Sequence, residues 1–218
     1  MIGIYKAVIF DLDGTLLDTL GDLHAAVNHA LNAFGFPERS IDEVRRFIGN
    51  GVVKLMERST PEDTDAETNR RCLDVFRQYY LIHMQDMTAP YEGVIELIEK
   101  LREKGIKTAV VSNKLHQAVY ELCEDYFPGI IDEAIGVSVE SERKPSPVNV
   151  YKALEKMDVT ADECIYIGDS EVDVQTSHNA GVKCIGVTWG FRDREELVEA
   201  GAELIMENCD DIFQFIVN

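Results

Sequence analysis

The stretch KAVIFDLDGTLLDT, residues 6–19, runs an apolar segment straight into two carboxylates. Ala7-Val8-Ile9-Phe10 is followed by Asp11 and Asp13, then by Gly14 and Thr15. One acid after a strand is an ordinary turn residue. Two at i and i+2 point the same way if the strand persists, roughly 6–7 Å apart. Their repulsion then needs a cation, a proton or open water to relieve it. Polar residues follow other apolar runs as well: Ser112 and Asn113 after KTAVV, and Asp169, Ser170 and Asp173 after CIYIG, with Lys144 in SERKPSP. Mg²⁺ suits such a set, because it takes hard oxygen ligands, few carboxylates and several retained waters. Asp11 and Asp169 could supply a partial shell that a phosphate completes. Ser112, the Asn113 amide and Lys144 would hold the other phosphate oxygens. That is phosphoryl-transfer chemistry, dominated by positioning and charge stabilisation. One carboxylate can attack and form an aspartyl phosphate, and a second can protonate the leaving oxygen and then activate water. Plainer readings stand beside this one. SEVD (170–173) and TLGD (19–22) have the form of capping boxes, SNK (112–114) could be a turn, and Lys144 a solvated lysine.

The elements that must position these residues can be read from periodicity. KAVIF (6–10), KTAVV (107–111), CIYI (164–167) and KCIGV (183–187) are short continuous apolar runs, as strands covered on both faces require. GVIELIEKLREKG sets Val94, Leu97, Ile98 and Leu101 at helical spacing, and Gly105 closes it just before the next strand. SPVNVYKALEKM starts with Ser146 as the expected N-cap and Pro147 at the first helical position. Strands alternating with helices predict an α/β fold with a doubly wound, Rossmann-like parallel sheet, which binds ligands beyond the carboxyl ends of its strands. Residues 16–86 differ, with four helical patterns and no convincing strand. They predict an inserted all-helical cap domain, leaving 1–15 and 87–218 as the catalytic core.

The charge balance is 21 bases against 40 acids, a net charge of −19. Such a surface repels nucleic acid and anionic membranes. It still admits a phosphate where cations converge. The five cysteines, Cys72, Cys123, Cys164, Cys184 and Cys209, form neither C-x-x-C nor a zinc spacing. That pattern points to a reducing, cytoplasmic setting. No signal-peptide pattern opens the sequence, and no apolar run approaches the ~18 residues of a membrane span, so neither is expected. His24 and His29, five apart, do not match the three- or four-residue spacing of metal ligands on one helical face.

With these residues in view, the chain resembles the haloacid dehalogenase-like hydrolases. DLDGTLLDT, VVSNK, Lys144 and GDSEVDV are similar to that family's four motifs, in the family's order. The helical insertion resembles its type 1 cap. The resemblance implies Asp11 as nucleophile and Asp13 as general acid/base, with the Asp13 backbone carbonyl on the metal. It implies Asp11, Asp13 and Asp169 around Mg²⁺, and Gly14, Thr15, Ser112, Asn113 and Lys144 around the phosphate. Asp173 would orient Lys144 or metal-bound water, with Ser170 beside it. Dehalogenases of the family lack an acid at the Asp13 position, so the resemblance is to its phosphotransferases. FIGNGVVKL (47–55) and GVTWGFR (186–192) resemble stretches of phosphoglycolate phosphatases, which would make Asn50, Gly51 and Lys54 cap specificity residues. A plain helix-to-helix turn explains the same glycines. The expectation is a Mg²⁺-dependent phosphatase, monomeric or homodimeric, acting on a small phosphorylated metabolite. The alternatives are a sugar phosphate mutase or pyrophosphatase of the same superfamily, a phospho-accepting receiver, and a non-catalytic binding module.

Overall fold

The computed structural model describes residues 5–218. In chain order the core begins with β1 (Ala7–Phe10) and β2 (Leu17–Asp18). Four helices follow: α1 (Leu20–Ala33), α2 (Ile41–Phe47), α3 (Gly51–Ser59) and α4 (Ala66–His83). Then come β3 (Ala89–Pro90), α5 (Val94–Glu103), β4 (Lys107–Leu115), α6 (His116–Tyr126) and β5 (Glu133–Val137). The last part is α7 (Val148–Met157), β6 (Cys164–Gly168), α8 (Glu171–Ala180), β7 (Lys183–Val187), α9 (Arg194–Glu199), β8 (Leu204–Met206) and α10 (Cys209–Val217).

Six strands form one parallel sheet in the order β5-β4-β1-β6-β7-β8, and β2 pairs with β3 in a separate two-stranded sheet. The order reverses direction at β1, whose neighbours come from far along the chain on either side. That is the switch point where open α/β sheets bind ligands. Side chains alternate across β1, as strand geometry requires. Val8 and Phe10 pack with Val94, Leu97, Ile98 and Leu101 of α5 on one face, while Ala7 and Ile9 pack with Val150, Ala153 and Leu154 of α7 on the other. Both faces of the strand are therefore dry, which is why its sequence is continuously apolar.

The chain divides into two compact units, one of Asp18–Ala89 and one ending at Leu17 and resuming at Pro90–Asn218. In the first, α1 lies against α4 and buries Leu23, Ala26, Val27, Ala30 and Leu31, while α4 buries Cys72, Leu73, Phe76 and Tyr80. Ser40 and Glu43 form a capping box at the start of α2. His24 Nε2 is within 3.0 Å of the Arg39 carbonyl, and the His29 ring stacks on Tyr79 with centroids 4.1 Å apart. No helix among the described residues is long and apolar enough to cross a membrane.

The structure corrects several local expectations. TLGD does not make a capping box, since Thr19 has no side-chain capping bond. Asp22 instead accepts from Met87 N–H at 3.0 Å, from Thr88 N–H at 2.9 Å and from the Thr88 hydroxyl at 2.7 Å. Helix α7 starts at Val148 with Pro147 in the cap position, one residue later than expected, and Ser146 lies outside it. SNK is not a turn, because β4 continues through it to Leu115. Strands β5 and β8, absent from the periodicity reading, complete the sheet.

Candidate active site

The parallel register sets the carboxyl ends of β1 and β6 beside the Val110–Ser112 stretch of β4. Phe10 of β1 faces Val110 of β4 and Ile167 of β6, and Asp11 N–H adds one further bond to Ile167 O at 2.8 Å. Asp11, Ser112 and Asp169 therefore emerge beside one another. The strand itself stops at Phe10, so extended backbone does not aim Asp13. A tight loop does, with Gly14 at φ +87° and its N–H bonded to Leu17 O at 2.9 Å.

Lys144 is not a solvated lysine. Its side chain is 4 % exposed, and Nζ lies 2.8 Å from Asp11 Oδ1 and 2.7 Å from Asp173 Oδ1. Its backbone is locked to β4: Lys144 N–H donates to Asn113 Oδ1 at 2.7 Å, and Asn113 Nδ2 donates to Lys144 O at 3.3 Å. The Asn113 side chain is thus a brace for Lys144. Ser112 is buried, and its Oγ accepts from Lys114 N–H at 3.3 Å.

SEVD opens α8 as expected of a helix start, but Asp173 does more than cap. Its Oδ2 accepts from Ser170 N–H at 3.1 Å and from Ser170 Oγ at 2.6 Å, while Oδ1 accepts from Lys144 Nζ and, at 3.1 Å, from Tyr166 OH. Asp169 accepts from Thr15 Oγ1 at 3.0 Å and from Phe191 N–H at 2.7 Å. The Trp189 indole donates to Thr15 O at 3.0 Å, tying GVTWGFR to the first loop.

Electrostatically the site is short of positive charge. Carboxylate oxygens of Asp11, Asp169 and Asp173 lie within 4.8 Å of one another. Burial pushes the Asp11 carboxyl well above the usual range, Asp173 adds to it, and Lys144 opposes it. Burial, then Asp173, pushes Asp169 up to about 7. Burial works against the Lys144 ammonium, but Asp11 and Asp173 outweigh it and raise its pKa well above that of an ordinary lysine. Three carboxylates against one ammonium leave a two-unit deficit that a divalent cation matches.

The residues also fit such an ion sterically. Asp11 Oδ1 is buried and, although Lys144 Nζ is near, has no well-aligned donor. A Cβ on Gly14 would come within 2.3 Å of Asp169 Oδ2, and one on Gly190 within 2.3 Å of Gly14 O. Both positions keep backbone clear around the Asp169 carboxylate. Asp173, with donors on both oxygens, is better placed to orient Lys144 than to bind metal.

The Asp13 carboxylate stands outside this trio. Its Oδ1 is 2.7 Å from Nζ of Lys114, whose side chain is 8 % exposed. Sequence reasoning takes Ser112 and Asn113 from VVSNK and passes over Lys114, because its carboxylate partner lies 101 residues away and nothing local marks it. Tyr166 leaves no signal inside an apolar strand, and the Phe191 contribution is a backbone N–H.

Asn50, Gly51 and Lys54 belong to the helical unit. Gly51 has φ +81° and begins α3, Asn50 Oδ1 accepts from Arg58 Nη2 at 2.7 Å, and Lys54 pairs with Glu57 at 2.5 Å.

Comparison with known proteins agrees with this geometry. Residues 8–187 match the model of the haloacid dehalogenase-like hydrolase family. A phosphoglycolate phosphatase of Vibrio parahaemolyticus is 30% identical over 97% of this chain and 96% of its own length. One from Aquifex aeolicus is 33% identical over 85% of this chain and 86% of its own. The crystal structure of a candidate phosphoglycolate phosphatase from Lactobacillus delbrueckii subsp. bulgaricus superposes with a TM-score of 0.94 at 37% identity, covering 100% of both chains. The chain belongs to the haloacid dehalogenase-like hydrolase family.

Proposed function

We propose that the chain is a Mg²⁺-dependent phosphatase that hydrolyses a small phosphate monoester through an aspartyl phosphate on Asp11, with phosphoglycolate as the substrate. The observation that carries this reading is Asp11 itself. It is a buried carboxylate at the switch point of the sheet, beside Lys144 and two further acids. The named activity of the Vibrio and Aquifex relatives supports the choice of substrate.

Asp11, the Asp13 backbone carbonyl and Asp169 would hold Mg²⁺, which supplies charge neutralisation at the phosphate. Lys144 and Ser112 bind the transferring phosphoryl group, and Asn113 keeps Lys144 in place. A carboxylate oxygen of Asp11 attacks phosphorus as the bond to the leaving oxygen breaks. Asp13 gives that oxygen a proton, then takes one from the water that attacks the aspartyl phosphate. Inorganic phosphate leaves and the Asp11 carboxylate is restored. The presence of an acid at position 13 supports phosphate ester chemistry, since an alkoxide needs a proton and a halide does not. The helical unit is read as the cap, with Asn50, Gly51 and Lys54 as its specificity residues.

The test is steady-state release of inorganic phosphate from a panel of small esters, phosphoglycolate included, with Mg²⁺ and with chelator. Phosphoglycolate is expected to have the highest kcat/KM, and chelator to abolish turnover. Full activity of Asp11→Asn would end the nucleophile assignment.

A further inference from the structure

Two lysines with little-exposed side chains, Lys144 and Lys114, stand at this site, and the reaction as described uses one. Lys144 faces Asp11, the attacking side, while Lys114 faces Asp13, the leaving-group side. We propose that Lys114 is a specificity residue, recognising an anionic group on the alcohol that departs. The inference rests on the substrate class proposed above and deepens it.

The placement of Lys114 is rigid. It lies in β4, paired with β5, and a Cβ on Gly136 of β5 would come within 2.6 Å of the Lys114 carbonyl oxygen. The two backbones approach as closely as a glycine permits. Ser112 Oγ accepts from the Lys114 N–H. The side chain is nearly as buried as that of Lys144, with a carboxylate at 2.7 Å. Even partly burying an ion pair costs desolvation that its attraction only repays in part, and the Asp13 side chain is 18 % exposed. Fold stability alone therefore does not call for an ammonium here.

The chemistry of the leaving group supplies a reason. Asp13 must hydrogen-bond to the leaving oxygen to protonate it. In a phosphorylated 2-hydroxy acid, that oxygen is joined to the carboxylate carbon through a single carbon, two bonds of about 1.5 Å each. A cation in contact with Asp13 is thus in reach of the substrate carboxylate when both lie on the same side of the leaving oxygen. An ammonium has three donors and can serve two carboxylates at once. Lys114 would bridge Asp13 and the substrate, drawing the leaving oxygen toward its proton donor. A neutral alcohol of the same size forgoes this contact.

Two substitutions with paired substrates test the proposal. Lys114→Met removes the charge, and Lys114→Gln removes it while keeping a donor for Asp13. For each, kcat/KM is measured for phosphoglycolate and for ethyl phosphate, which has the same heavy-atom chain without the carboxylate, and for a wider set of carboxylated esters. The ratio within one preparation is independent of the active fraction, so partial misfolding does not distort it. Wild type is expected to favour carboxylated esters, and both variants to lose roughly 100-fold of that preference, the scale for one partner of a buried charge pair. Equal losses on both ester classes would overturn the proposal and leave Lys114 as a positioning residue for Asp13. Wild type indifferent to the carboxylate would overturn it too. A preference for a carboxylated ester other than phosphoglycolate, lost in the variants, would refute the named substrate and uphold Lys114.

Discussion

Asp173 Oδ1 accepts from Lys144 Nζ at 2.7 Å, on the same nitrogen that stands 2.8 Å from Asp11. The ammonium is thereby suspended between the carboxylate proposed to attack and one that anchors it. Ser170 holds the far oxygen of Asp173 with two bonds, so the support has its own support. Fixing an ammonium this way removes the motion that a four-carbon stem would otherwise bring to the site.

Asp173→Asn should therefore cost turnover without touching the reacting atoms. We expect kcat to fall roughly 10–100-fold, the usual scale for partners that orient a ligand group. Steady-state kinetics at saturating Mg²⁺ check this. Unchanged kcat would mean that Lys144 holds its position unaided.

Asp13→Asn should lower kcat by roughly 10²–10⁴-fold on alkyl phosphates, as for a lost proton donor. The loss should be smaller on p-nitrophenyl phosphate, whose leaving group needs little protonation. Measuring both substrates distinguishes a lost acid from a damaged site, which would lower both alike.

Gly190→Ala should weaken Mg²⁺ binding. The new methyl would sit 2.3 Å from Gly14 O and 2.4 Å from Asp169 Cβ, inside any allowed contact. The turn at Gly190, the Gly14 loop or the Asp169 turn must then shift, and with it the geometry of the proposed metal ligands. The Mg²⁺ concentration for half-maximal activity is expected to rise at least tenfold, and a metal titration reads it directly.

The pKa of Asp169 gives a stability prediction with a definite sign. Burial first, and Asp173 second, raise it from 3.8 to about 7 in the folded chain. Between those values the native state holds a proton that the unfolded state has released, so stability falls as pH rises through the window and levels off above it. Asp169→Asn removes this burden. In chelator at pH 8 the variant should melt several degrees above wild type, at roughly 2–4 °C per kcal/mol for a chain of this size. At pH 4 the gain should vanish. Thermal melts at the two pH values, with and without Mg²⁺, check it.

Asp22→Ala should destabilise the helical unit. Removing the carboxylate takes away the acceptor shared by the Met87 N–H, the Thr88 N–H and the Thr88 hydroxyl. The cost is expected to be about 2–4 kcal/mol, given the penalty for buried unsatisfied donors. Urea denaturation monitored by hydrogen exchange in residues 18–89 would locate the loss.

The central strands were legible because both their faces are buried, which forces an unbroken apolar sequence. Edge strands leave a fainter mark: β5 carries Glu133 and Gly136, and β8 has three residues, all only partly buried. The acids at 11, 13, 169 and 173 were legible because paired carboxylates at strand ends need a physical excuse. Lys144 and Lys114 look alike in sequence to any surface lysine. Their burial is decided by acids more than 20 residues away, and no local pattern reports it. Asp22 shows the converse. It satisfies a capping pattern locally, yet its partners lie 65 and 66 residues further on.

Strand β1 has consequences for how the molecule is made. Ala7 pairs with Lys107 on one side and with Cys164 on the other. A chain growing on a ribosome therefore has no partner for β1 until β4 is made, about halfway along, and no second partner until β6. The insertion of residues 18–89 can settle early, from contacts within itself. The reactive centre must wait for β6 and the Asp169 turn to emerge. Such distant pairings slow folding, and a product that stops before residue 169 lacks one of the residues proposed to hold Mg²⁺.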